Sequence, residues 1–307
     1  MKTSAVDVLI IGGGPAGLSC AIELKKLGVG AVRVIEREAQ AGGVPRHSNH
    51  LGYGIRDLGK FMTGPAYAKT YVAKALKAGV VISTATTATN WTQGTSVETT
   101  SQAGIEIIHA QAIVLATGAR ERARNARMVP GARPAGIYTT GSLQQAVYLR
   151  HLEVGAKAVI IGAEHVSFSA LMTLSHAKVK TVAMITDQLK HHSVPGAVLL
   201  TKLFYRFRFL AGTQLIEILG NSRVSGVVLQ DKAGHTSRIE CDTVIFTGNW
   251  IPDNELLRRS PIGAPGVFSI GNLELPIKSA DQCALQARES ARLIASHVSS
   301  ASALKNG

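Results

Sequence analysis

The sequence is poor in cysteine, aromatic residues, acids and long apolar runs. Its three cysteines, Cys20, Cys241 and Cys283, lie far apart and form no CxxC. That spacing excludes a disulfide framework, a thiolate zinc site and a redox-active dithiol, and it suits a reducing, cytoplasmic setting. No stretch of about 18 apolar residues occurs, so no integral membrane association is expected. The first seven residues are too few and too polar for a secretory signal. Aromatic residues are only 5% of the chain, and 20 acids stand against 33 bases, for a net charge of +13. A positive field attracts anionic cofactors, acidic partners or anionic lipid. Its densest patch is Arg120, Arg122, Arg124 and Arg127. No groove-reading motif or aromatic–basic ladder accompanies it, so no nucleic acid is expected as partner. With 307 residues, 46% of them hydrophobic, the chain is long enough for two modest domains with cores of their own.

Glycine is what the sequence does have. Residues 6–36 read VDVLIIGGGPAGLSCAIELKKLGVGAVRVIE. A strand over Val6–Ile11 runs into Gly12-x-Gly14-x-x-Gly17, then a helix, then a second strand over Ala31–Ile35 that ends in Glu36. Gly12 permits the tight turn, Gly14 lets the backbone approach a pyrophosphate, and Gly17 lets the helix pack on the strand. The helix N-terminus offers free amides and the positive end of its dipole. Glu36 is placed to hydrogen-bond ribose hydroxyls.

Four further stretches follow in order. REAQAGGVPR carries the paired Gly42-Gly43, AIVLATGARER spans 112–122, DTVIFTGNWIPDNELL spans 242–257, and GVFSIGNLELPIKSADQCALQARESARLIASHV spans 266–298. Together with the fingerprint they resemble the FAD-dependent pyridine nucleotide-disulfide oxidoreductases of the thioredoxin-reductase-like superfamily. The resemblance implies an α/β protein with two Rossmann-like domains. The FAD domain would be discontinuous (1–118 and 242–307), and a degenerate NAD(P)-type domain (119–241) would be inserted in it. FAD is the implied cofactor, held by Gly12, Gly14, Pro15, Ala16, Gly17, Glu36, Arg37, Gly43, Ala116, Thr117, Gly118, Gly271 and Asn272. The family usually has Asp where this chain has Asn272, whose amide can still reach a ribityl hydroxyl.

The inserted part repeats strand, turn, helix and strand in GAKAVIIGAEHVSFSALMTLSHAKVKTVAMITD. Gly162 keeps the turn, but the second and third glycines have become Glu164 and Ser167. A side chain at 164 fills the space of the pyrophosphate contact. Its carboxylate also repels phosphate, on the order of a few kcal/mol where water is excluded. Ser167 is expected only to loosen packing. Asp187 ends the following strand and keeps the ability to hold a ribose. The expectation is a domain kept as scaffold with NAD(P) binding weakened or lost; the alternative is a Glu164 swung outward with a dinucleotide still bound.

Neither PAGIYTTGSLQQAVYL (134–149) nor GGVPRHSNH (42–50), where disulfide reductases of this fold hold their cysteine pair, contains cysteine. The run ATGARER…PG…AGIYTTGSLQQ looks most like the flavoprotein alpha subunits of the sarcosine oxidase, opine oxidase, hydroxyproline dehydrogenase and hydrogen cyanide synthase group. That resemblance implies oxidation of an amine or amino acid, hydride passing to flavin N5, alone or in a complex. The implied partners are a second flavin subunit plus a small iron–sulfur subunit. VPRHSNHLGYGIRDLGKFMTGP (44–65) gathers Arg46, His47, His50 and Tyr53. An arginine can hold a carboxylate, and a histidine can deprotonate an amine. The same residues equally suit loop capping and flavin-phosphate binding. A metal at His47 and His50 lacks further ligands nearby, so none is expected. His191-His192 read as a solvated turn. AVLLTKLFYRFRFLAG (197–212) has helical apolar spacing, and 80–110 reads as a three-stranded meander. Two other functions stay open: an NAD(P)H-dependent flavin reductase feeding a protein or quinone acceptor, and an FAD-bearing structural subunit.

Overall fold

The computed structural model describes residues 2–190, 197–260, 265–274 and 276–306, without the side chains of 197, 200 and 302–306. The chain divides into two compact units. One comprises Met1–Arg46, Leu51–Ala119 and Pro252–Gly307; the other comprises His47–His50 and Arg120–Ile251.

The first unit is built on a seven-stranded sheet. Its order is Val81–Ser83, Val32–Ile35, Lys2–Ile11, Gly104–Leu115, Ser96–Ser101, Thr87–Trp91, with Val267–Ser269 also pairing with Gly104–Leu115. The strand Lys2–Ile11 is polar at its start and buried over Val8–Ile11. Such an unbroken apolar run is what a parallel strand covered on both faces requires. Side chains alternate between the faces with period two. Val8, Ile10, Val34, Ala112 and Val114 enter one core with Leu18, Tyr67, Tyr71 and Ile294. Leu9, Ile11, Ile35, Ile113 and Leu115 enter another with Trp91 and Val97. Burying each such side chain contributes roughly 1.5–3 kcal/mol. The expected meander is present as Thr87–Trp91, Ser96–Ser101 and Gly104–Leu115, antiparallel throughout. Its last strand is long enough to serve twice, meeting Ser96–Ser101 over 104–109 and Val267–Ser269 over 113–115.

The second unit has a parallel five-stranded sheet in the order Ile137–Thr139, Thr243–Phe246, Lys157–Ile161, Lys180–Ile185, Arg208–Leu210. Helical residues Leu143, Phe168, Leu171 and Leu174 cover one face, against Ala158, Ile160, Met184 and Ile245. An antiparallel ribbon, Gln214–Gly220, Val224–Gln230 and Thr236–Ile239, supplies Ile218, Val227 and Leu229 to the other. Thr243–Phe246 is buried at every position between two strands of this sheet. The return to the first unit therefore comes at Pro252, later than the expected boundary at 242.

The helical reading of 197–212 holds only over Ala197–Tyr205. Arg206 has φ 52°, a left-handed conformation that stops a helix, and Arg208–Leu210 then pairs with Ala183–Ile185. His191 and His192 lie outside the described residues. Among the described residues no helix is long and apolar enough to cross a membrane.

Candidate functional site

The first glycine turn is where the distant motifs of the first unit meet. Gly12 has φ +113°, and a Cβ there would stand 2.4 Å from the Ala116 carbonyl oxygen. A Cβ on Gly17 would stand 2.0 Å from the Gly12 oxygen. Packing alone demands these two glycines. Gly14 is different: among the described residues a Cβ on it would meet only the Gly43 Cα, at 3.8 Å. The space beside Gly14 is left for something other than protein. The helix Pro15–Lys26 begins there on Gly14, which has no side chain to cap it, and the first amides of a helix lack partners within the helix. An anion is the natural partner of such an end.

The remaining predicted cofactor residues surround this turn. Glu36 is buried; its Oε2 accepts from the Gly13 amide at 2.9 Å and its Oε1 from the Glu38 amide at 2.9 Å. Gly42 donates its amide to the Gly13 oxygen at 2.7 Å, and Gly43 backs onto Gly14 with φ +63°. Thr117 donates its hydroxyl to the Asp253 carbonyl at 2.7 Å, and the Asp253 amide donates to the Gly118 oxygen at 2.9 Å. Arg37 reaches the same Asp253 through its carboxylate, at 3.3 Å. Gly271 faces Ala16. These residues fit a dinucleotide: a Gly-lined cradle with room, free amides, and an oriented acid one strand away. Asn272 differs from expectation. Its Oδ1 accepts from the Lys278 amide at 2.7 Å and its Nδ2 donates to the Lys278 oxygen at 2.9 Å. The amide thus fastens Lys278 ahead of the helix Ala280–Asn306.

In the second unit the turn is closed. Glu164 folds back so that its Oε2 lies 3.0 Å from both Ser167 Oγ and Thr247 Oγ1, and those two hydroxyls are 2.7 Å apart. Its carboxylate covers Gly248, where a Cβ would stand 2.7 Å from Glu164 Cδ. Ser167 is fully buried and holds the glutamate, which corrects the expectation that it merely loosens packing. Asp187 is exposed, with Gln188 Nε2 donating to its carboxylate at 3.2 Å. The arginine patch proves internal in half its members. Arg124 is buried and donates to the backbone oxygens of 129–132. Arg127 donates to the oxygens of Arg122, Thr247 and Gly248 at 2.7, 2.7 and 3.0 Å, and lies over the Phe246 ring. Burial disfavours its charge and pulls the guanidinium down, with the Glu164 and Glu121 carboxylates opposing. Burial pushes the Glu121 carboxyl up, although it accepts from the Gly141 amide at 2.9 Å and the Gly248 amide at 3.2 Å.

The segment after Gly43 divides between the units. Arg46 turns back on its own loop, donating to the Gln40 oxygen and lying 3.8 Å from Glu38. Tyr53 packs against Tyr67, centroids 5.6 Å apart. Tyr67 and Tyr71 both donate to Asp57 Oδ2, at 2.7 and 2.6 Å, and Arg288 donates to the Tyr71 hydroxyl at 2.8 Å. Burial and Asp57 push the Tyr71 hydroxyl up to about 12. His47 and His50 belong to the second unit. His47 is buried with Nδ1 3.3 Å from Gln144 Oε1. Gln144 Nε2 donates to Ser169 Oγ at 2.8 Å and Ser48 Oγ at 3.4 Å, and His50 Nε2 is 2.9 Å from Ser48 Oγ. Gln144 stands in the stretch that the sequence marked only for its missing cysteines, so its role was not anticipated.

All three thiols are buried and free. Burial pushes Cys20 up to about 12, and Cys241 and Cys283 up to about 11. None is a thiolate near neutral pH.

Residues 6–265 match the family model for pyridine nucleotide-disulphide oxidoreductases. The chain belongs to that family. It is therefore an enzyme of a flavin oxidoreductase family, one that typically binds FAD. It is 26% identical to one of the subunits of opine oxidase from Agrobacterium tumefaciens (strain Ach5), over 81% of this chain and 53% of that protein. The chain thus spans about half the length of this curated relative. Thioredoxin reductase of T. acidophilum shares the fold with a TM-score of 0.79 at 22% identity, over 95% of this chain and 98% of that one. L-proline dehydrogenase of P. horikoshii does so with a TM-score of 0.69 at 19% identity, over 95% of this chain and 55% of that one. A thioredoxin-reductase-like fold with two Rossmann-like sheets follows from these likenesses.

Proposed function

We propose that the chain is an FAD-dependent oxidoreductase without a redox disulfide that oxidises the C–N bond of an amine or amino acid. It acts as the flavoprotein subunit of a hetero-oligomeric dehydrogenase or oxidase, together with a second flavin subunit plus a small iron–sulfur subunit. The observation that carries this reading is the isolation and burial of all three cysteines in a chain related to an opine oxidase subunit. With no dithiol among its cysteines, the flavin would take electrons from the amine substrate and pass them to an acceptor other than a disulfide.

The first unit would hold FAD, with the pyrophosphate at Gly12, Gly14, Pro15, Ala16 and Gly17. Glu36 would take the ribose, helped by Arg37 and Gly43. Ala116, Thr117 and Gly118, with Gly271 and Asn272, would close the site. When bound, FAD accepts the hydride at N5. His47 is the residue we assign to take the amine proton. Its Nδ1 lies 3.3 Å from Gln144 Oε1, a contact that orients the ring. His50 shares the same hydroxyl network through Ser48. Arg46 and Tyr53 belong to the first unit; each is proposed separately to meet substrate, Arg46 through its charge and Tyr53 through its ring.

The test is anaerobic mixing of the flavin-loaded protein, purified with its neighbours, against a panel of opines, secondary amines and amino acids. Bleaching of the flavin by a member of that panel is expected. Bleaching by NADH or NADPH, with none by any amine, would turn the assignment to a flavin reductase. Bleaching by neither would leave a structural subunit.

A further inference from the structure

The two units carry the same cradle, one open and one filled. Gly12 and Gly162 make the turn with φ +113° and +128°. The next helices, Pro15–Lys26 and His165–His176, both run 12 residues. Their N-cap residues have the same backbone, φ −82°, ψ −173° at Gly14 and φ −81°, ψ 173° at Glu164. Extended backbone of this kind accepts any residue, so position 164 differs from position 14 in space alone. A Thr-Gly pair follows the facing strand in each unit, Thr117-Gly118 and Thr247-Gly248. Gly118 has nothing within 4 Å of where a Cβ would stand; at Gly248 the Glu164 carboxylate fills that place. One side chain therefore occupies the two openings that the first unit leaves free.

We infer that Glu164 is a resident anion in the nucleotide cradle of the second unit, standing in for dinucleotide phosphate and closing that unit to NAD(P). Its carboxylate has the partners a phosphate would want. Ser167 and Thr247 supply hydroxyls at 3.0 Å, and Arg127 brings its guanidinium beside them by donating to the Thr247 and Gly248 oxygens; the helix N-terminus adds its dipole without an amide bonding the carboxylate. The two lost glycines act as a pair, because Ser167 in place of the third glycine provides the hydroxyl that Glu164 in place of the second one needs. The residues present do not fit NAD(P), although the family is one of pyridine-nucleotide enzymes. The inference goes beyond the amine-oxidation reading and holds whichever donor reduces the flavin.

Calorimetric titration of the flavin-loaded protein with NADH, NADPH and ADP tests it, with no turnover needed. The wild type should show no saturable binding in the second unit. Glu164→Gly should bind at least about tenfold more tightly than wild type, and its melting temperature should rise with ADP where that of the wild type does not. Glu164→Gln, which keeps the volume and loses the charge, should stay closed. Glu164→Ser, a good helix N-cap, opens the same space and carries the decision if the glycine variant does not fold. Saturable NADH binding by the flavin-loaded wild type, whose first cradle is already occupied, would overturn the inference. So would a folded Glu164→Ser or Glu164→Gly with no gain in affinity, or a Glu164→Gln that opens as widely as the glycine variant.

Discussion

Gly271 rests on Ala16 across more than 250 residues of sequence: a Cβ at 271 would stand 2.8 Å from the Ala16 Cβ, on a backbone with φ +70°. Both the space and the conformation demand glycine. Gly271→Ala should destabilise the first unit by about 1–2 kcal/mol from the left-handed backbone alone. The protein should melt earlier and be purified with less flavin. Absorbance of the isolated protein near the flavin maximum, against protein concentration, checks this directly.

Glu36 offers a sharper probe of the same cradle. Its two oxygens each take a backbone amide, so Glu36→Ala leaves buried donors unsatisfied, at about 1–3 kcal/mol. Flavin affinity should fall by about tenfold or more, and Glu36→Gln, which keeps one acceptor oxygen, should fall between. Fluorescence of released flavin during dialysis is the measurement.

His47→Asn should lower the limiting rate of flavin reduction by amine at least about a hundredfold, the lower range for loss of a general base. Gln144→Leu removes the partner of Nδ1 and should change the pH profile of that rate more than its substrate affinity. Stopped-flow reduction across pH separates the two effects.

Arg33 and Glu106 join neighbouring regions of the first sheet with two hydrogen bonds of 2.9 and 3.0 Å. The Arg33 guanidinium beside it holds the Glu106 carboxyl down at about 2. Its folded value lies below the ordinary glutamate value of about 4.3. The pair's contribution is therefore fully present above that value and is lost as pH falls through about 2. Glu106→Gln should lower the melting temperature at pH 7 and have progressively less effect toward pH 2. Thermal melts of both proteins along that range read the convergence.

Thiol chemistry gives the plainest outcome. With Cys20 near 12 and Cys241 and Cys283 near 11, a thiol reagent at pH 8 should label the native protein negligibly and the denatured protein at three sites. Replacing all three by Ala should leave amine-driven flavin reduction intact.

Much of the first site was legible because its chemistry is local and glycine-dependent. Gly12, Gly14, Gly17 and Glu36 fall in one strand–helix–strand unit whose spacing fixes their geometry. The partners of the second cradle were not legible in the same way. Glu164 stood out because a glycine was missing, but Thr247 lies 83 residues away and looks in sequence like the end of any strand. Ser167 read as a loss of fit because its hydroxyl gains meaning only once Glu164 turns back. The boundary expected at 242 falls early because Thr243–Phe246 is apolar at three of its four positions and suits either sheet; its pairing with Ile137–Thr139 and Lys157–Ile161 decides. Helical spacing likewise ran past Tyr205, since period alone cannot announce that Arg206 leaves the helix.

The long strand Gly104–Leu115 cannot complete its pairing until Val267–Ser269 has been made, and the helix Ala280–Asn306 must arrive before Ser19 can donate to Ala284. The first unit is thus assembled from segments on both sides of residues 120–251. The glycine turn at 12–17 therefore gains its neighbour Gly271 only when the segment beyond the insertion is in place.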